Sequence, residues 1–274
     1  MIPKIIHYCW LSDPPNYPPE VVTCMESWKK YLPDYQIIHW NASNFDVNCN
    51  RYVREAYEAG KFAFVSDYVR LWALYHYGGV YLDSDIEVLR SFDPLLDQKG
   101  FTGFEDRDRI SAWIFGSEKG NPLFQEFLDD YKGRIFKLGE GQYDMTPNPV
   151  PITRRLMAHG LRLDGSLQKL DYITVYPMDC FCPFNPYRKS GDCFTERTMC
   201  NHYFNGEWKK SQSAEERRYA EKEARFRKIF GNRLGPKLSR NLAMISYGGF
   251  FPWLRRRVKE KRKTRGGGVR NITL

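Results

Sequence analysis

The sequence predicts an α/β fold, a sheet built from strands that alternate with helices, followed by a basic helical tail. Three observations carry that reading. Short apolar runs alternate with stretches of helical periodicity from the first residues onward. A glycine pair, Gly78-Gly79, separates a long amphipathic helix pattern from a strand that ends in two aspartates, Asp83 and Asp85. The positive charge is confined to one end: residues 209–274 hold 20 Lys/Arg against 5 Asp/Glu, while the whole chain carries a net +9. With 274 residues, 42% of them hydrophobic and 16% aromatic, the chain can bury one generous core. We expect one large domain over residues 1–210 and an appendage over 211–274.

The elements follow in order. "KIIHYCW" (4–10) is a buried-strand run, and the four prolines of "LSDPPNYPPE" mark a loop after it. "EVVTCMESWKKYL" has helical spacing and is closed by Pro33, and "YQIIHW" is a second strand. Residues 50–59 read as a polar helix stopped at Gly60. From Phe62 to Tyr77, Ala63, Ser66, Asp67, Arg70, Leu71 and Leu74 fall on one stripe, so Asp67 and Arg70 sit one turn apart on a core-facing side. "VYLDSDIEVL" then alternates with period two, with Tyr81, Asp83 and Asp85 on one side and Val80 and Leu82 on the other. "GFTGFED" and "SAWIFGS" read as strands. "NPLFQEFLDDYKGRIF" (121–136) reads as a helix with Asn121 as cap and Pro122 first. Residues 139–153 are expected as a long loop suited to substrate contacts or a lid. "DYITVYPMDCFCPF" is a late strand, "MCNHYFNGEW" a short strand and turn, and 213–230 a charged helix.

The opening "MIPKIIHYCWL" lacks a long apolar stretch and a small-residue cleavage site, so the chain is expected to stay in the cytosol. No window approaches the roughly 20 apolar residues that a spanning helix needs. Seven cysteines in a reducing compartment are expected as thiols. Cys180, Cys182, Cys193 and Cys200 crowd near His202, but their spacings lack a C-x-x-C pair, which argues against structural zinc. A basic surplus at one terminus suits an attached segment that meets an anionic surface.

Two acids one residue apart suit a hard divalent ion that must also hold a diphosphate, because Mg²⁺ and Mn²⁺ prefer oxygen ligands and share them with phosphates. A bare Asp-x-Asp more often decorates a surface turn. Here the glycine turn, the apolar strand and the inward Asp67/Arg70 pair accompany it, and a buried charge without a partner is costly. The strand end would deliver both carboxylates to the carboxyl edge of the sheet, where open α/β folds bind ligands.

"IPKIIHYCWL", "SWKKYLPDYQIIHWN", "KFAFVSDYVRLWALYHYGGVYLDSDIEVL" and, more loosely, "HYFNGEW" (202–208) resemble glycosyltransferase family 32, the sugar transferases with an Asp-x-Asp motif. That family includes capsular polysaccharide enzymes and yeast initiating mannosyltransferases, with clostridial glucosylating toxins as distant relatives. The resemblance covers about the first 210 residues. It implies a GT-A type Rossmann-like nucleotide-sugar-binding domain, a Mn²⁺ or Mg²⁺ cofactor, and transfer of a hexose with retention from a UDP-linked donor to a polysaccharide or lipid-linked glycan. By the same carry-over, Trp10 would stack on the base and the Cys9 backbone would meet its edge. Asp67 would bond donor sugar hydroxyls and Arg70 would reach the sugar or diphosphate, Tyr81 and Asp83 would contact ribose or phosphate, and Asp85 would ligate the metal. Glu207 stands where many relatives have serine and only one of two histidines survives, leaving His202 as the second-choice metal ligand with Asp83 and Asp85, or else a satisfied core histidine.

Simpler readings stand beside these. Trp10 could be core, and Asp67 with Arg70 could be an internal pair that braces the helix. Glu105 and Asp106 either approach the site from the next strand or face solvent. His7, His39, His76 and His159 have no partner legible in the sequence. In sugar transfer the charge grows on the leaving diphosphate, so electrostatic stabilisation can suffice without a carboxylate nucleophile. The tail, with "FFPWLRRRVKEKRKTR", suits an anionic membrane interface on the inner face of the plasma membrane, or merely a solvated end. Two rival functions are a haloacid-dehalogenase-like phosphatase, whose motif fits poorly because Glu87 follows the second acid, and a nucleic-acid binder acting through the tail, which the acidic body disfavours.

Overall fold

The apolar run at the amino terminus is β1 (Ile5–Cys9), buried at Ile6, His7 and Tyr8. The computed structural model describes residues 1–12, 15–106, 108–185 and 193–204. The tail expected over 211–274, its charged helix over 213–230, and positions 205–208 of the C-terminal motif lie outside the described residues. α1 (Pro19–Tyr31) starts with proline in its first turn, where a missing N–H costs nothing, and buries Val21, Cys24 and Trp28. β2 (Gln36–Trp40) pairs parallel with β1, Ile37 opposite Ile6. α2 (Arg51–Glu58) is capped by Asn50, whose side chain accepts from the Val53 N–H at 2.9 Å.

α3 (Phe62–Tyr77) runs into β3 (Gly79–Leu82) with no linker beyond Gly78. Both glycines have positive φ, 68° and 104°. A Cβ on Gly79 would lie 2.7 Å from the Ile5 carbonyl oxygen, so only glycine lets the chain reverse this close to β1. The alternation read from the sequence holds within the strand: Tyr81 joins one core cluster, while Val80 and Leu82 join the other. The strand stops at Leu82, and Asp83–Asp85 form a turn before β4 (Ile86–Val88).

Next come β5 (Gly100–Asp106), β6 (Arg109–Ile110) and β7 (Ile114–Ser117). α4 (Pro122–Asp129) has Asn121 as its cap, as expected, but it is shorter than the expected helix. Past Asp130 the chain turns to put Tyr131 and Phe136 into the core, with Gly133 at φ 73° between them. The expected loop 139–153 is partly ordered. β8 (Lys137–Gly139) and β9 (Gln142–Tyr143) form a hairpin, and α5 (Pro149–Ala158) begins inside the expected loop. The hairpin is tied down by Glu55, whose Oε2 accepts from the backbone N–H of Phe136 at 2.9 Å and of Lys137 at 2.8 Å. β10 (Gln168–Lys169) precedes β11 (Thr174–Tyr176), all that is strand in the expected late run, since Pro177 ends it and opens α6 (Met178–Phe181). β12 (Cys200–His202) pairs antiparallel with β4, setting His202 opposite Ile86.

The main sheet has the order β10-β11-β5-β7-β3-β1-β2, with β6 paired to β5. β1, β2 and β3 are mutually parallel, β7 is antiparallel to both β3 and β5, and β11 is parallel to β5. The carboxyl ends of β2, β1, β3, β5 and β11 therefore share one edge. The α/β class expected of the chain is the one observed. One apolar cluster lies under α3 and α4, the other under α1 and α6. No helix among the described residues is long and apolar enough to cross a membrane.

Candidate functional site

The site grows from the turn that ends β3. The Asp83 N–H donates to the Trp113 carbonyl at 3.0 Å and the Ile86 N–H to the Asp83 carbonyl at 3.2 Å, which turns the chain and presents both carboxylates at the sheet edge. β12 supplies the third group. The Tyr203 N–H donates to the Asp85 carbonyl at 3.1 Å, and His202 Nε2 lies 3.1 Å from Asp85 Oδ1. The imidazole is gripped between Trp113, at 4.8 Å between ring centroids, and Phe204, at 4.0 Å. One ligand atom from each of Asp83, Asp85 and His202 falls within 4.8 Å of the others. Among the described residues no other such group of His, Cys, Asp and Glu forms. His202 Nδ1 is buried without a partner. Two carboxylates and an imidazole form a donor set that fits a divalent cation of the Mg²⁺ and Mn²⁺ class.

Asp67 and Arg70 reach the same place from α3. Arg70 Nη2 lies 3.0 Å from Asp67 Oδ1 and 3.3 Å from Asp83 Oδ1, so one guanidinium joins the helix acid to the first aspartate of the turn. Its other donors are used by the protein: Nη1 donates to the Ala112 carbonyl and Nε to the Ser66 carbonyl at 3.2 Å. The Tyr81 ring supports its face, 4.9 Å from Cζ. Burial works against the Arg70 charge, but Asp83, Tyr81 and Asp67 outweigh it and raise its pKa. Burial raises the Asp83 pKa, with Arg70 opposing, and lifts Asp67 to about 6 against the same cation.

The other expected residues sit along this edge. Tyr81 is 1% exposed beneath Arg70, and burial, with Arg70 opposing and the Asp83 charge adding, holds its hydroxyl well above the usual range. Cys9 ends β1, and burial pushes its thiol up to about 12. Trp10 packs on Tyr17 at 5.1 Å, its N–H donates to the Trp40 carbonyl at 3.0 Å, and its indole Nε1 is buried without a partner. The crowded cysteines are free thiols, and burial raises Cys200 far above the usual range.

Sequence reasoning missed Asn148, from the start of α5. Its Nδ2 donates to the Asp67 carbonyl at 3.2 Å, and its Oδ1 accepts from the Tyr131 hydroxyl at 3.3 Å. The signal was the Asn within a segment read as substrate-contacting loop. The histidines without a legible partner acquire three: His7 faces the Gly78 carbonyl at 2.7 Å, His39 the Trp10 carbonyl at 2.9 Å, and His159 Glu126 at 2.8 Å.

Residues 18–102 match the family described as "Glycosyltransferase sugar-binding region containing DXD motif". This stretch holds α3, the glycine turn and both aspartates. The chain carries a DXD glycosyltransferase region. The resemblance read from the sequence is thus borne out. Inositol phosphoceramide mannosyltransferase 3 of Schizosaccharomyces pombe is 31% identical over 135 residues, 46% of this chain and 36% of that protein. Mannosyl phosphorylinositol ceramide synthase SUR1 of Saccharomyces cerevisiae is 30% identical over 142 residues, 48% of this chain and 35% of that protein. The chain thus spans little more than a third of the length of these relatives. Among solved structures, PaToxG glycosyltransferase aligns at TM-score 0.40 and 17% identity, covering 57% of this chain and 69% of that one. LgtC in complex with donor and acceptor sugar analogs aligns at TM-score 0.39 and 14% identity, covering 73% and 87%.

Proposed function

We propose that the chain is a metal-dependent retaining glycosyltransferase that moves a hexose from a nucleotide-sugar to a polysaccharide or lipid-linked glycan. One observation carries the reading: within the DXD region, Arg70 joins Asp67 to Asp83 beside the Asp83, Asp85 and His202 donor set. A divalent cation held by Asp83, Asp85 and His202 would supply positive charge to a departing diphosphate.

The protein's own groups do the rest. Arg70 fixes the relative position of the two acids, because its planar fork has every nitrogen bonded and its face seated on Tyr81. Asp67, drawn toward neutrality by burial and toward charge by Arg70, accepts hydroxyls of the donor sugar. Trp10, with the backbone of Cys9, lines the nucleotide end of the edge. The leaving phosphate accepts the acceptor proton on the front face, and no side chain is assigned as nucleophile.

The names of these relatives are those of mannosyl-transferring enzymes, which favours mannose among the hexoses. Residues 241–274 are proposed as a segment that rests on the anionic cytoplasmic face of a membrane. Removal of these residues should release the protein from vesicles without abolishing donor hydrolysis. The test of the main reading is thermal stabilisation by a panel of nucleotide-sugars with and without Mn²⁺. A metal-dependent rise in Tm with one hexose donor supports it, and no rise with any donor sinks it.

A further inference from the structure

The carboxyl edge of the main sheet carries a rim of exposed apolar side chains that the proposed transfer reaction does not use. Leu167 is 51% exposed and Leu163 37%, both in the loop between α5 and β10. Leu163 and Cys193 line one cleft, which sets Phe194, 53% exposed, beside them. Single exposed leucines are ordinary on a protein surface, but large apolar side chains gathered on one rim mark an interaction surface.

Strand pairing places this rim on the same edge as the aspartate turn. β10 runs antiparallel to β11 with Gln168 opposite Val175, so Leu167 stands at the end where β11 finishes. Four strand intervals separate β10 from β3, and at about 4.8 Å each they set the rim roughly 20 Å from the turn along that edge. The last described residue, Phe204, packs on His202 at 4.0 Å between centroids. The stretch 209–274, with 20 Lys/Arg against 5 Asp/Glu, is therefore tethered to the edge that bears the rim.

The loop can lose water without stranding its polar groups. Asp164 Oδ1 accepts from the Ser166 N–H at 2.9 Å and the Ser166 hydroxyl at 2.6 Å, and its Oδ2 accepts from Arg162 Nε at 3.0 Å. The buried Gln168 amide closes the other side, accepting the Arg162 N–H at 2.8 Å and donating to the Arg162 carbonyl at 2.8 Å. Gly165, at φ 72°, makes the turn between them. The leucines are what this fixed frame presents outward. Residues 162–169 carry Arg162 and Lys169 against Asp164, so the loop meets phospholipid without net negative charge. Apolar tips beside a tethered polybasic stretch are the combination that a lipid interface accepts.

We propose that Leu163, Leu167 and Phe194 enter the interface of a phospholipid surface and so turn the carboxyl edge, with its donor set, toward the membrane. The rim supplies insertion that salt does not screen, and the tail supplies attraction to anionic headgroups that salt does screen. For that attraction the inference rests on the attachment proposed for the tail, while the exposure and bonding of the rim stand apart from the transferase reading.

The test uses the full chain with vesicles of phosphatidylcholine alone and of phosphatidylcholine mixed with phosphatidylglycerol. The double variant Leu163→Gln, Leu167→Gln should partition about tenfold or more weaker onto both. That loss should persist at about 0.5 M salt, where the attraction of the tail is screened. Donor hydrolysis without vesicles should stay within about twofold, which reports that the variant is folded. A polarity-sensitive fluorophore on Leu167→Cys, in a Cys49→Ser background because Cys49 is an exposed thiol, should shift to the blue with vesicles and be quenched by a lipid-borne quencher. The same probe on Lys29→Cys, in the last turn of α1 at the opposite edge, should stay in water. Unchanged partition in the double variant, or a Leu167 probe that stays in water on bound protein, overturns the rim and leaves the tail as sole attachment. Self-association in solution that the double variant abolishes assigns the rim to a second copy and overturns the lipid assignment as well. If the wild type ignores both vesicles, rim and tail fail together while donor hydrolysis still reads the transferase. If hydrolysis fails but the probe inserts, the transferase reading falls and this inference stands.

Discussion

His7 Nε2 donates to the Gly78 carbonyl at 2.7 Å while its Nδ1 receives the Trp40 indole N–H at 3.1 Å. Both bonds are satisfied only by the neutral ring protonated on Nε2. The imidazole therefore pins the turn between α3 and β3, which in turn sets where Asp83 emerges.

Burial lowers the His7 pKa from 6.5 to about 4, with the Gly78 bond opposing. The folded-state value lies below the unfolded one, so the unfolded chain binds more protons between pH 6.5 and 4. Stability from His7 is complete above that window and is lost as pH falls through it, by on the order of 3 kcal/mol. Denaturant unfolding at pH 7, 5.5 and 4.5 should show the decline, and His7→Gln should flatten it. An equal slope in the variant refutes the assignment.

Gly79→Ala tests the turn itself. The residue has φ 104° and its Cβ would sit 2.7 Å from the Ile5 carbonyl oxygen. We expect a loss of about 2–3 kcal/mol, read as a lower denaturant midpoint at unchanged m. A midpoint equal to the wild type would mean that the turn relaxes without strain.

These two residues also mark how far the sequence could be read. Gly78-Gly79 as a helix stop and Asp83 with Asp85 at a strand end were legible because each rests on local rules of turn chemistry and alternation. The Asp67/Arg70 stripe was legible from helical spacing, but not that Arg70 would reach Asp83, because that pair meets across the sheet edge. Glu55 holding the Phe136 and Lys137 N–H groups was invisible for the same reason, its partners lying 81 and 82 positions away. The shortened α4 follows from competition between local helix propensity and burial of Tyr131 and Phe136, which no window of sequence displays.

Arg70→Leu should leave Asp67 and Asp83 facing one another without a cation. Removing one partner of a buried charge network costs about 3–5 kcal/mol. The double variant Arg70→Leu, Asp67→Asn should recover part of the loss, since it removes one of the stranded acids. Additive losses would show that Arg70 acts through packing on Tyr81 rather than through the two carboxylates.

Asp85→Asn and His202→Ala each remove one member of the donor set. Titration with Mn²⁺ alone, followed by Tm, should show the wild-type rise weakened at least about tenfold in metal affinity in either variant. Because the readout is metal binding without nucleotide, it is independent of turnover. A rise unaffected by both substitutions would place the cation elsewhere.

Asn148→Ala tests whether α5 tunes the acid on α3. Asp67 is raised to about 6, first by burial, against the charges of Arg70 and Arg134 and, last, the Asn148 side chain, which also holds the Asp67 carbonyl. Losing that donor must raise the pKa further, so the carboxyl is protonated over a wider range and its pairing with Arg70 weakens as pH falls from neutral. Carboxyl ¹³C titration of Asp67 should move to higher pH in the variant, and the acid limb of donor hydrolysis should move the same way. Tyr131→Phe, which removes the hydroxyl that donates to Asn148 Oδ1 at 3.3 Å, should shift both in the same direction by a smaller amount, because it frees Asn148 without deleting it. A structural defect would lower activity at every pH and leave the midpoint where it was, so an unmoved Asp67 titration in Asn148→Ala would reduce this contact to packing.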